Sequence, residues 1–148
     1  LAARLHRQES SFAAYYLELL EKFDTRYRFY ERRDITLFDE SLQGAARDEA
    51  KAAGNARKEA TVAFFASLEG KEPAEAAAIL MDRMPEGSVL PTIKRVFHAG
   101  DGTYIEFDSL WFELRASGTD AVLRFYMEGR DAALVAELNE AFTQIRVD

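Results

Sequence analysis

Between Val89 and Glu128 the chain breaks into four short β-rich runs, residues 89–97, 103–107, 110–114 and 122–128. The breaks are turn chemistry: Gly100-Asp101-Gly102, Asp108-Ser109 and Ser117-Gly118-Thr119-Asp120. Connections this short join strands as hairpins, so the runs predict an antiparallel sheet. In the last run Leu123, Phe125 and Met127 alternate with Arg124, Tyr126 and Glu128, leaving one apolar face and one face for solvent or function. Asp131 then stands where it can cap a helix with the stripe Leu134, Val135, Leu138, Ala141, Phe142 and Ile145. The expectation is an α+β fold: a four-stranded antiparallel sheet with helices packed on one face, preceded by a helical N-terminal segment.

That preceding segment reads as helices separated by one extended stretch. Phe12, Tyr15, Tyr16, Leu19, Leu20 and Phe23 recur at helical spacing and predict an amphipathic helix facing a core. Residues 25–38 mix Tyr27, Phe29 and Tyr30 with Glu31, Arg32, Arg33 and Asp34 and read as extended structure or a linker strand. Aromatics among arginines also suit base stacking, which the acidity of the chain opposes. Residues 41–69, rich in alanine and charge with Val62, Phe65 and Leu68 on one face, predict a solvated helix weakened in its first half by Gly44 and Gly54. Gly70-Lys71-Glu72-Pro73 stops it and starts a second helix, 73–84, expected to bury Ala77, Leu80, Met81 and Met84 before Pro85-Glu86-Gly87 ends it.

Composition narrows the chemistry. The 148 residues are 48% hydrophobic and 30% charged, enough for a packed core. Nineteen Lys+Arg against 26 Asp+Glu give a formal charge of -7, which repels polyanions and disfavours nucleic-acid and anionic-membrane partners. There is no cysteine, which removes disulfides, thiolate nucleophiles and cysteine-based zinc sites. The two histidines, His6 and His98, are far apart without clustered acids and read as surface residues. No run approaches the roughly 20 apolar residues of a membrane span, and no signal-peptide core follows Leu1, so the expected location is cytoplasmic. The start at Leu1 rather than Met suggests a cut fragment.

One stretch carries chemistry. Arg115-Ala116-Ser117-Gly118-Thr119-Asp120 lies between two strands and places a glycine, two hydroxyls and an arginine in one tight loop. Converging backbone N–H groups at Gly118, hydroxyl donors from Ser117 and Thr119 and the Arg115 fork together suit a phosphate dianion. Arg124, on the polar face of the next strand, is placed to reach the same anion. The same Ser, Gly and Asp equally make an ordinary hairpin turn.

The run from Leu114 to Glu128 resembles the C-terminal phosphate-binding loop of the α-D-phosphohexomutases, the phosphoglucomutase and phosphomannomutase family. That family's pattern is Arg-Pro-Ser-Gly-Thr-Glu-Pro, two variable residues, then Arg-x-Tyr-x-Glu, and Arg115, Ser117, Gly118, Thr119, Arg124, Tyr126 and Glu128 match in register. Gly100-Asp101-Gly102 with Trp111 is similar to the family's preceding hairpin, and Tyr15 to Asp34 to its interdomain segment. Ala116 and Ala121 replace two prolines and Asp120 replaces the glutamate, changes expected to loosen the loop or alter a secondary contact.

The resemblance covers about residues 85–148 strongly and 10–40 fairly. It implies a division into the tail of a preceding domain with a linker (1–40), a helical insertion with the first helix of the last domain (41–84) and a phosphate-binding domain (85–148). It also implies a parent enzyme that moves phosphate between positions 1 and 6 of a hexose, using an upstream phosphoserine and magnesium. In such an enzyme the last domain grips the phosphate that is not reacting, through Arg115, Ser117, Gly118, Thr119 and Arg124. The chain shows no Ser-His-Asn-Pro loop, no Asp-x-Asp-x-Asp metal loop and no Gly-Glu-Met-Ser sugar loop, and Asp101 between two glycines reads as a β-turn. The expectation is therefore an inactive fragment without its own cofactor, whose partners are a phosphosugar and the upstream domains. The alternatives are a stand-alone phosphosugar-binding module, or an interaction module docking through its alanine-rich helix and the Tyr27–Tyr30 aromatics.

Overall fold

The computed structural model describes residues 11–22 and 29–147. His6, Phe23 and Tyr27 lie outside the described residues, so the readings placed on them stand as expectations. The elements run α1 (Phe12–Lys22), β1 (Phe29–Thr36), α2 (Gly44–Ala66), α3 (Pro73–Arg83), β2 (Ile93–Ala99), β3 (Gly102–Phe107), β4 (Leu110–Ala116), β5 (Val122–Gly129) and α4 (Ala132–Thr143).

The sheet has five strands rather than the expected four, in the order β1-β5-β4-β3-β2. The additional edge strand is β1, drawn from the stretch read as extended or linker, and it pairs antiparallel with β5 from Phe29↔Gly129 to Thr36↔Val122. Its composition hides it. Glu31, Arg33 and Ile35 are half-buried while Tyr30, Arg32, Asp34 and Thr36 are exposed, a muted alternation in which charges occupy both faces. Arg33 pairs with Glu140 of α4 and, at 2.6 Å, with Glu31, so even the half-buried positions are ionic.

The core lies between the sheet and the helices. Phe65 of α2, Phe112 of β4 and Phe142 of α4 are all fully buried. The Phe112 and Phe142 rings stack at 4.2 Å, and Phe65 approaches both at 5.5 and 6.0 Å. Ile105, Phe107, Leu110, Leu123, Phe125 and Met127 extend this layer along the strands. Asp131 caps α4 as expected, its Oδ1 accepting from the N–H groups of Ala133 and Leu134 at 2.9 and 3.1 Å. The opposite sheet face carries Phe97, Tyr104, Trp111, Glu113, Arg115, Arg124 and Tyr126, since strand residues alternate between faces.

Three readings of the helices and strand ends need correction. Met81, expected inside, is exposed, because α3 turns Ala76, Leu80 and Met84 to the core. The first run of the sheet begins at Ile93, and Val89 is 74% exposed in the preceding loop. The stripe of α1 buries only Leu20, while Phe12, Tyr16 and Leu17 stand out; periodicity makes a helix amphipathic, but a neighbouring surface is needed to cover it. Among the described residues no helix is long and apolar enough to cross a membrane.

Because Phe112 joins two helices to the central strand, Phe112→Ala is expected to destabilise the fold by about 3–5 kcal/mol, seen as a lowered midpoint in urea unfolding.

Candidate functional site

β4 and β5 run antiparallel into the 117–121 loop, and their register decides the site. Arg115 and Arg124 are direct cross-strand partners. Like charges facing each other destabilise a sheet unless something compensates. Acids do so from both flanks: Arg115 Nη2 donates to Asp101 Oδ2 at 2.8 Å, and Arg124 Nε lies 3.8 Å from Asp34 Oδ2. Asp34 is the β1 partner of Arg124, and Gly102, next to Asp101, is the β3 partner of Arg115. The row across the sheet therefore reads acid, base, base, acid.

The acids are committed. The Arg115 guanidinium holds the Asp101 carboxyl below its ordinary value of 3.8. Arg32 does the same for Asp34, gripping its two oxygens through Nε and Nη2 at 2.7 and 2.6 Å. The arginines keep spare capacity. Nε of Arg115 and Nε of Arg124 are both shut off from solvent and have no hydrogen-bond acceptor, since Glu113 Oε1 stands 3.7 Å from the first and Asp34 at the distance given above from the second. Buried donors left unpaired are costly, and it is the exposed part of each guanidinium side chain that can meet an oxyanion. Glu113 is itself buried and accepts from Tyr104, whose hydroxyl is raised by burial and then by this contact. Gly102 makes room here, for a Cβ at that position would sit 2.6 Å from Glu113 Oε1 and 3.0 Å from Arg115 Cγ.

The loop is closed by its own bonds. Ser117 N–H donates to Val122 O at 2.9 Å, Val122 N–H to Asp120 O at 2.8 Å, and Asp120 N–H to Ser117 Oγ at 3.3 Å. Ser117 is buried, whereas Gly118, Thr119 and Asp120 are exposed. Of the amides assigned to an anion nest, that of Ser117 is thus spent internally, and those of Gly118 and Thr119 have no acceptor among the described residues. Gly118 does not use a left-handed backbone. A Cβ there would meet open space, so neither the backbone conformation nor close packing demands a glycine at this position. Thr119 Oγ1 donates to Asp120 Oδ2 at 2.9 Å.

Residues 66–145 match the family model "Phosphoglucomutase/phosphomannomutase, C-terminal domain", just over half of the chain. Its sheet, its closing helix and all five candidate residues fall in the matched stretch apart from β1, and the chain belongs to the phosphoglucomutase/phosphomannomutase family by that domain. These are isomerases. No curated protein matches the chain.

The fold brings the five expected residues, Arg115, Ser117, Gly118, Thr119 and Arg124, to one end of the β4–β5 hairpin. Three residues not singled out for the site in the sequence stand with them: Asp34 of β1, and Lys51 and Lys58 of α2. Lys51 Nζ holds Asp120 Oδ1 at 3.0 Å, and Lys58 Nζ holds the carbonyls of Ser117 and Asp120 at 3.0 and 2.8 Å. Helical spacing of Lys51, Gly54 and Lys58 on one face was the available signal. His98 is exposed, and its backbone N–H donates to Glu69 Oε1 at 3.1 Å.

Lys51, and after it Thr119, lowers the Asp120 carboxyl below 3.8. A carboxyl lowered on folding stabilises the fold above its unfolded-state value and loses that contribution as pH falls through the folded-state value. Asp34, Asp101 and Asp120 thus support the loop end at neutral pH, and that support begins to fade near about pH 4 and is lost as pH falls through their lowered folded-state values. Lys51→Met is expected to raise the Asp120 midpoint toward 3.8 while leaving that of Asp101 in place, read by carboxyl carbon NMR between pH 2 and 6.

Proposed function

We propose that this chain is part of a phosphohexomutase that interconverts hexose 1-phosphate and hexose 6-phosphate, and that its contribution is to grip the phosphate not undergoing transfer. The observation that carries this reading is the direct pairing of Arg115 with Arg124 beside the open amides of Gly118 and Thr119. The two guanidinium groups, on side chains about a third exposed, stand together at the open end of the loop. A phosphate dianion suits that arrangement, since its oxygens accept from guanidinium forks and peptide N–H groups at once. It presents nearly the same shape and charge whichever carbon bears it, so one grip serves both orientations of the sugar. The role is positioning and exclusion of water, with bond making left to other residues of the parent.

The residues described here do not fit the magnesium used by that reaction. Asp101 is engaged by Arg115, and among the described residues no three carboxylate or imidazole groups converge. Metal and phosphoserine are accordingly assigned to the parent's other domains, and the chain alone is expected to bind without turnover. Phe12, Tyr16, Leu17, Phe29 and Tyr30, exposed on α1 and at the start of β1, are the surface on which those domains would seat. A cytoplasmic location follows from such a substrate.

Titration of the chain with glucose 1-phosphate, glucose 6-phosphate, inorganic phosphate and glucose, followed by amide NMR, tests the grip. The three phosphates are expected to move the Gly118 and Thr119 signals with Kd near 1 mM, about 4 kcal/mol, glucose to leave them still, and Arg115→Ala to abolish the response. Equal responses to glucose and its phosphates would refute a phosphate site.

A further inference from the structure

The helix read as a solvated insertion bonds directly to the loop. Lys51, Gly54, Lys58, Thr61 and Phe65 form a single face of α2, three or four residues apart, running from the loop down to the aromatic core. At the lower end Phe65 packs against the stacked rings of Phe112 and Phe142, which fixes the height and rotation of the helix. Toward the upper end, Gly54 permits near contact: a Cβ there would lie 2.9 Å from Leu37 O and 3.1 Å from Ala121 Cβ. Leu37 N–H in turn donates to Ala121 O at 2.9 Å, so the end of β1, Gly54 and the end of the loop are packed as one unit. Midway along the face, Lys58 sits half-buried beneath the loop with its ammonium on two loop carbonyls.

We infer that α2 is the brace of the phosphate loop, and that Lys58, by holding the carbonyls of Ser117 and Asp120, is a positioning residue for phosphate binding. The reason lies in the trans peptide unit, where the C=O of one residue and the N–H of the next point in opposite directions. Turning Ser117 C=O onto Lys58 therefore turns Gly118 N–H away from the helix and outward, where it has no protein acceptor. Lys58 also draws carbonyl dipoles to the side away from the ligand, leaving the outer side richer in donors. Ala116 and Ala121 stand where the family pattern has prolines, and the restriction lost from the backbone is supplied from outside by Gly54, Lys58 and the Lys51–Asp120 pair. β1 and nearly all of α2, Lys58 included, lie outside residues 66–145, so the brace is built from the part of the chain beyond the matched domain.

This inference rests on the phosphate reading for its ligand but not for its geometry, and the test separates the two. Wild type, Lys58→Met, Lys58→Arg and Gly54→Ala would each be studied by amide NMR, without ligand for the heteronuclear NOE of residues 117–120 and then with inorganic phosphate. Lys58→Met keeps the stem and removes the ammonium. It is expected to lower the loop NOE and weaken phosphate by about tenfold, Lys58→Arg to restore most of both, and Gly54→Ala to act in the same direction as Lys58→Met without altering charge. If Lys58→Met keeps wild-type loop order or wild-type affinity, the brace is wrong and the phosphate grip survives. If wild type itself shows no response to phosphate, the grip fails, and the brace is then decided by ligand-free loop order alone.

Discussion

The β4–β5 ladder is the constraint from which the remaining structure follows. With Phe112 opposite Met127 and Leu114 opposite Phe125, both strands send apolar side chains to the helices at the same time. The alternation that achieves this sends Arg115 and Arg124 to the other face, directly across from one another. A slip of β5 by one residue would turn Arg124 to the core and Phe125 to the opposite face. The aromatic core and the basic pair are therefore one decision of register, and the hydrophobic gain of the core holds in place a charge arrangement that is unfavourable by itself.

That arrangement is tempered from both sides. Asp101 comes from the β2–β3 turn and Asp34 from β1, so the central hairpin's charges are balanced by its neighbours on either edge. Balance is not saturation. Arg32 takes both oxygens of Asp34, Glu113 is turned to Tyr104, and the two Nε atoms remain without acceptors. These two donors are closed to solvent, whereas the loop presents two open amides at the surface beside them.

Much of this was legible beforehand. Turn residues separated the four strands from 93 to 129, the Asp131 cap and its stripe announced α4, and Pro73 announced α3, because caps, turns and periodicity are local signals. The candidate loop was legible for the same reason, its residues being contiguous apart from Arg124. β1 escaped because charges stand on both of its faces, and an edge strand supported by ion pairs shows little hydrophobic alternation. Met81 was misplaced because a helix of eleven residues has more apolar positions than one core contact can cover.

Lys51, Gly54 and Lys58 were the more instructive omission. In sequence they are ordinary residues of a charged helix, and the glycine counts as a defect. Their meaning depends on Asp120, Ala121 and Leu37, which lie as much as 69 positions away for the Lys51–Asp120 pair. The sequence by itself determined the hairpins, the helices, the inward and outward faces of β5 and the identity of the loop, since each is set by interactions among residues close in the chain. Only the tertiary structure decided that the charged stretch 29–36 becomes the fifth strand, that Arg115 faces Arg124, and that a helix outside the matched domain clasps the loop, because these depend on which distant surfaces the aromatic core brings within hydrogen-bonding reach.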